Sequence, residues 1–132
     1  MSSRGTFSKN GHVTTDEYST VSKLYDAKIL VGNDNRHSLP DYSHSPNAIY
    51  MKQYADGSFR EMRIFDEKGF PILEIAYHIE PGLTGNRHEY VLHAHWIEHN
   101  KNLDRHMIGR ISPTENSDIY NKYKKYLKEY GL

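Results

Sequence analysis

His93 and His95 stand two residues apart in the run Val91-Leu92-His93-Ala94-His95-Trp96-Ile97-Glu98-His99. Side chains alternate across an extended strand, so this pair projects from one face with Ala94 turned away. Two imidazoles held side by side are half of a metal site. Glu74 and His78 lie upstream on Pro71 to His78, itself of strand length, and His37 and His44 lie in the two-proline segment Arg36 to Pro46. The expected centre takes His93, His95 and Glu74 as its nucleus, with His78, His44 or His37 supplying what remains. Its ion is zinc or another divalent metal. The chain has no cysteine, so only nitrogen and oxygen donors are on offer. Three protein ligands and a water make an open, catalytic type of site and four make a closed, structural one; the ligand count stays open at this point.

The same residues allow chemistry without metal. His93 or His95 as general base, the other as general acid, and Arg63 or Lys52 against a pentavalent phosphate would suffice to cleave RNA through its 2′-hydroxyl. Arg63 has a competing structural role as a cross-strand ion pair with Glu74, and that role is preferred.

Four strand-length runs must position these groups: Asn47 to Tyr54, Ser58 to Phe65, Pro71 to His78 and Glu89 to Trp96. Ala-Asp-Gly and Asp-Glu-Lys-Gly-Phe separate the first three, the chemistry of tight hairpins. The expected fold is α+β, a four-stranded antiparallel meander with a C-terminal helix packed on one face. Alternation places Ile49, Met51, Met62, Ile64, Leu73, Ile75, Tyr77, Tyr90, Leu92, Ala94 and Trp96 on a core face. Tyr50, Lys52, Glu61, Arg63, Glu74, His78, Val91, His93 and His95 fall on a polar face. Symmetric hairpins would align Arg63, Glu74 and His93 in one row.

Ser112-Pro113-Thr114-Glu115 reads as a helix start, with a capping residue, proline at the first helical position and Glu three residues after the cap. Ile119, Tyr123, Tyr126, Leu127 and Tyr130 form a helical stripe closed by Gly131. Residues 1–20 are polar and small, and are expected to be a flexible N-terminal arm, leaving 21–132 as a single domain. Val21 to Val31 reads as a strand, or as a short helix ending in one. Residues 36–46 read as an ordered loop that either folds over the polar face as a lid or leaves its histidines exposed, and Glu80 to Arg87 as a flexible connector in preference to a binding loop.

A chain of 132 residues suits one domain. Lys plus Arg and Asp plus Glu number 17 each, so no global field draws in nucleic acid or an anionic membrane. No apolar run reaches membrane-spanning length and the N-terminus lacks a secretion signal, which points to a cytosolic protein. There is no Gly-rich phosphate loop, serine nucleophile elbow or His-Glu-x-x-His helix. With no complete catalytic motif, binding is favoured over catalysis.

Asp56-Gly57, Arg60, Arg63, Phe65-Asp66, Gly69, Glu74-Ile75, Tyr77-His78 and His93-x-His95-Trp96 together resemble a module of phage and prophage proteins and of the C-terminal ends of polymorphic toxins. The likeness spans about Gly32 to Trp96. This chain carries Glu74 and Ala76 where the pattern has two acids. The resemblance implies a metal-dependent or His-based nuclease, toxin-like, acting on RNA or DNA. In size, lack of cysteine and Lys- and Tyr-rich tail the chain also resembles the small accessory proteins of streptococcal-type prophages, among them anti-CRISPR inhibitors. That second likeness implies a phage-encoded, zinc-binding inhibitor acting in the cytoplasm of the host bacterial cell. Its partner would be a type II CRISPR effector nuclease, gripped by protein–protein binding, with the metal used structurally. Of the two, the inhibitor is the leading expectation.

Overall fold

The computed structural model describes residues 7–9, 12–14, 18–32, 38–98 and 104–132. The four expected strands are present as β6 (Ile49–Gln53), β7 (Phe59–Phe65), β8 (Pro71–Ile79) and β9 (Tyr90–Glu98), each antiparallel to the next. They are the middle of something larger. β3 (Tyr18–Leu24), β4 (Ala27–Gly32) and β10 (Asp104–Arg110) extend them into a seven-stranded sheet of order β10-β9-β8-β7-β6-β4-β3. The sheet is mixed, because β4 runs parallel to β6. A second, three-stranded sheet joins β1 (Phe7–Lys9), β2 (His12–Thr14) and β5 (Tyr42–Ser43). The helices are the single turn α1 (Pro81–Thr84) and α2 (Ser117–Lys128).

The four-stranded meander with one helix is therefore corrected to a mostly-β architecture. The extra strands escape a sequence reading for local reasons. β3 and β4 form a hairpin whose two-residue turn, Tyr25-Asp26, has no glycine or asparagine, and Tyr25 takes the left-handed conformation at φ 55°. That turn is held from outside: Tyr25 packs edge-on to Tyr126 of α2, and the Tyr126 hydroxyl hydrogen-bonds Asp26. β10 reads Asp-Arg-His-Met-Ile-Gly-Arg and is bulged between Met107 and Gly109; its pairing rests on the ladder that β9 offers rather than on its own propensity. Of the segment expected to be an arm, β1, β2 and the first residues of β3 are strands, and the rest lies outside the described residues.

The face assignment for β6 to β9 largely holds. Ile49, Met51, Met62, Ile64, Leu73, Ile75 and Ala94 form one buried cluster with Ile119, Tyr120, Tyr123, Tyr126 and Leu127 of α2. Trp96 and Tyr90 do not join the buried core, at 51% and 46% exposure. A helix about 10 Å wide covers roughly two strands at about 4.8 Å spacing, so a broad sheet leaves part of this face open. The expected capping sequence is real but displaced. Ser112 Oγ accepts the backbone N–H groups of Thr114 and Glu115 in a free-standing turn, after which Asn116 at φ 47° precedes the helix at Ser117. Gly131 at φ 78° ends it, with Leu132 N donating to the Leu127 carbonyl.

The opposite face is not simply wet. Tyr18, Leu30, Leu39, Tyr50 and Phe65 build a second small core there, and the chain at Leu39 and Pro40 crosses over Arg63, whose Nη1 donates to both carbonyls at 3.0 and 2.9 Å. Among the described residues no helix is long and apolar enough to cross a membrane.

Candidate metal centre

Pairing between β8 and β9 decides which polar groups meet. Glu74 faces His95 and Ala76 faces His93, two residues away from the expected row of Arg63, Glu74 and His93. The shift arises because β8 runs on through Ile79, which pairs with Tyr90. An even shift keeps every side chain on its face while changing its neighbours.

His93 is fully buried. Its Nδ1 lies 2.9 Å from the Val91 carbonyl, an oxygen that only accepts, so Nδ1 carries the hydrogen and Nε2 presents a lone pair. That Nε2 is buried and has no hydrogen-bond partner. Burial pushes the His93 pKa down against the opposing pull of the Val91 hydrogen bond, so the ring is neutral near pH 7. His78 repeats the arrangement, with Nδ1 2.9 Å from the Ile79 carbonyl, leaving Nε2 to ligate. The two rings stand edge to face at 4.6 Å between centroids. Oε2 of Glu80 lies 3.8 Å from His93 Nε2. One ligand atom from each of His78, Glu80 and His93 lies within 4.8 Å of the others.

The backbone explains the convergence. His78 and Glu80 are an i, i+2 pair across the end of β8, and the hairpin lays His93 beside them. Glu80 directly precedes α1, where Pro81 takes the first helical position and the Glu80 carbonyl accepts from Leu83 N at 2.9 Å. A ligating histidine ordinarily donates its other ring N–H to a carbonyl or carboxylate, which sets the tautomer and the ring angle. Both histidines here already do so.

Of the residues named from sequence, His78 and His93 join this group. His95 stands next to it, its ring 5.0 Å from that of His93. Burial lowers its pKa, and the Glu74 and Glu80 carboxylates pull the other way. Glu74 is drawn into a buried ion pair, with Oε2 2.8 Å from Arg63 Nη2 and Oε1 3.3 Å from Arg105 Nε. Burial alone would raise its pKa; the two guanidiniums outweigh that and hold it below the usual carboxylate range. The preferred reading of Arg63 as a cross-strand partner of Glu74 thus matches the geometry. His44 is exposed, in a shallow cleft with Tyr42 and Glu67–Phe70, and His37 lies outside the described residues. Glu80 was missed, having read as part of a connector. The signal for it was the His78-x-Glu80 spacing, which repeats the logic of His93-x-His95 once β8 is extended by one residue.

Protein-family models, curated proteins and solved structures yield no match to this chain.

Proposed function

We propose that this protein binds one divalent metal ion of the zinc class through His78, Glu80 and His93. The observation that carries this is the buried, unpartnered Nε2 of His93, facing a second histidine and a carboxylate. An orphaned buried acceptor costs about 1–3 kcal/mol, and an ion would convert that cost into a bond. Two neutral nitrogens and one carboxylate oxygen suit zinc, with water or another ligand in the remaining position. Glu80, whose side chain is 27% exposed, is the side from which an ion enters. The test is elemental analysis of untagged protein, with His93→Ala and Glu80→Gln as controls. One equivalent of metal in wild type and none in His93→Ala supports the reading; metal-free wild type after zinc loading sinks it.

A second reading gives the ion a structural task within a protein-binding inhibitor of a type II CRISPR effector nuclease. Its support is that the ligands come from β8, from the residue opening α1 and from β9, so the ion would staple the β8–β9 connection into a fixed shape for contact. Co-purification with such an effector and loss of its DNA cleavage would favour it. No association at micromolar concentration would remove it.

A further inference from the structure

We propose that the cleft between β4 and β6 binds a small organic carboxylate with an apolar body, its carboxylate held by Arg60. β4 and β6 run parallel, and their ladder joins only Lys28 to Tyr50 and Ile29 to Met51, although β4 continues to Gly32 and β6 to Gln53. Past that ladder the strands part at their C-terminal ends. A cleft of about 540 Å³ opens there, within the roughly 300–1,000 Å³ of small-molecule sites. In open sheets, ligands commonly bind beyond the carboxyl ends of parallel strands at such a parting. None of His78, Glu80 and His93 lines this cleft, so the inference stands apart from the metal reading.

Two features of the lining select the ligand. The first is charge: the lining includes Lys52 and Arg60 and no aspartate or glutamate. Lys52 stands opposite Glu61 in the β6–β7 ladder, which offsets its charge locally. Arg60 differs. Its guanidinium carbon lies 5.5 Å from the centroid of the Tyr54 ring, and among the described residues no ion pair engages it. Tyr54 is itself fixed, its hydroxyl donating to the Tyr77 carbonyl at 2.8 Å. Stacking on an anchored ring orients the guanidinium plane and leaves its N–H fork for the two oxygens of a carboxylate. One guanidinium neutralises one negative charge, which suits a carboxylate better than a phosphate dianion.

The second feature is apolar. Val21 and Val31 are 57% and 50% exposed, and both line the cleft with Ile29. A hydrocarbon body laid against them takes this surface out of water, which an inorganic anion cannot do.

The test is titration of the full chain, uniformly labelled for amide NMR, with octanoate and with phenylacetate up to about 1 mM. Saturable binding of one or both is expected, with shifts centred on residues 29–32 and 52–54, and the same in EDTA as with zinc. An aliphatic or an aromatic preference identifies the body of the natural ligand. The neutral analogues 1-octanol and 2-phenylethanol should bind about tenfold or more weakly, and Arg60→Gln should raise the carboxylate Kd by a similar factor with a cooperative melt retained. Lack of saturable binding by either carboxylate, shifts centred elsewhere, or equal binding of the alcohols overturns the inference. An unchanged Kd in Arg60→Gln overturns it too. Should that variant fail to melt cooperatively, the comparison of acid with alcohol in wild type decides.

Discussion

Nε2 of His93 and Oε2 of Glu80 lie 3.8 Å apart, beyond hydrogen-bond length and near the roughly 3.3 Å that separates two ligands bound at about 2.0–2.1 Å to one tetrahedral ion. Small side-chain movement, with no change of strand register, closes the difference.

Metal should therefore stabilise the protein through these two groups. At a free zinc concentration about 100 times Kd, binding adds about 2.7 kcal/mol, read as a rise in melting temperature that EDTA reverses. His93→Ala should lose the rise.

Glu80→Gln and Glu74→Gln should separate in a way that sequence alone would not suggest. Glu80→Gln removes one of three protein ligands and weakens zinc binding by more than the roughly 10- to 100-fold that loss of a ligand's hydrogen-bond partner costs, with little change in metal-free stability. Glu74→Gln lowers stability and keeps the metal, because its carboxylate is occupied by Arg63 and Arg105. Calorimetric zinc titration of both variants decides the matter, and the opposite assignment would restore Glu74 as a ligand.

Arg63 is 2% exposed and holds Glu74 together with the carbonyls of Leu39 and Pro40. Arg63→Ala removes one half of a buried ion pair and should cost about 3–5 kcal/mol in urea denaturation. A double-mutant cycle with Glu74→Gln should show strong coupling between the two sites.

Acid should act on two carboxylates with opposite signs. Glu74 has a folded pKa below its unfolded value of about 4.3, so its contribution is present above that pH and is lost as pH falls through the folded pKa. Glu61 is raised by burial and by the neighbouring Glu74 charge. Its contribution is full below the unfolded pKa and is lost as pH rises through the folded one. Glu61→Gln should accordingly gain stability relative to wild type as pH climbs from 4 toward 8, measured by urea melts across that range. A difference that shrinks with rising pH would contradict the assignment.

Gly69 sits at φ 87°, and a Cβ there would meet the Ser43 carbonyl oxygen at 1.8 Å. The same residue's carbonyl accepts from Ser43 N at 2.8 Å. Gly69→Ala combines backbone strain with this clash and should cost at least about 2 kcal/mol. Amide exchange at residues 42–43 should quicken with it, since β5 docks there.

The histidine alternation, the hairpins from β6 to β9 and the stripe on α2 were legible in the residues because each depends on neighbours a few positions away, where periods of two and 3.6 govern. The cross-strand partnership of Arg63 and Glu74 followed from one tight turn. Legibility stopped at pairings between distant segments. The parallel contact of β4 with β6 needs a crossover, and the hairpin of β3 with β4 turns on Tyr25, whose conformation is held by α2. The metal group lay just past that limit. Residue types alone determined that imidazoles would share a sheet face. Only the tertiary structure decided that Glu80 rather than Glu74 stands beside His93, since the length of β8 set the register and the buried arginine claimed the other carboxylate.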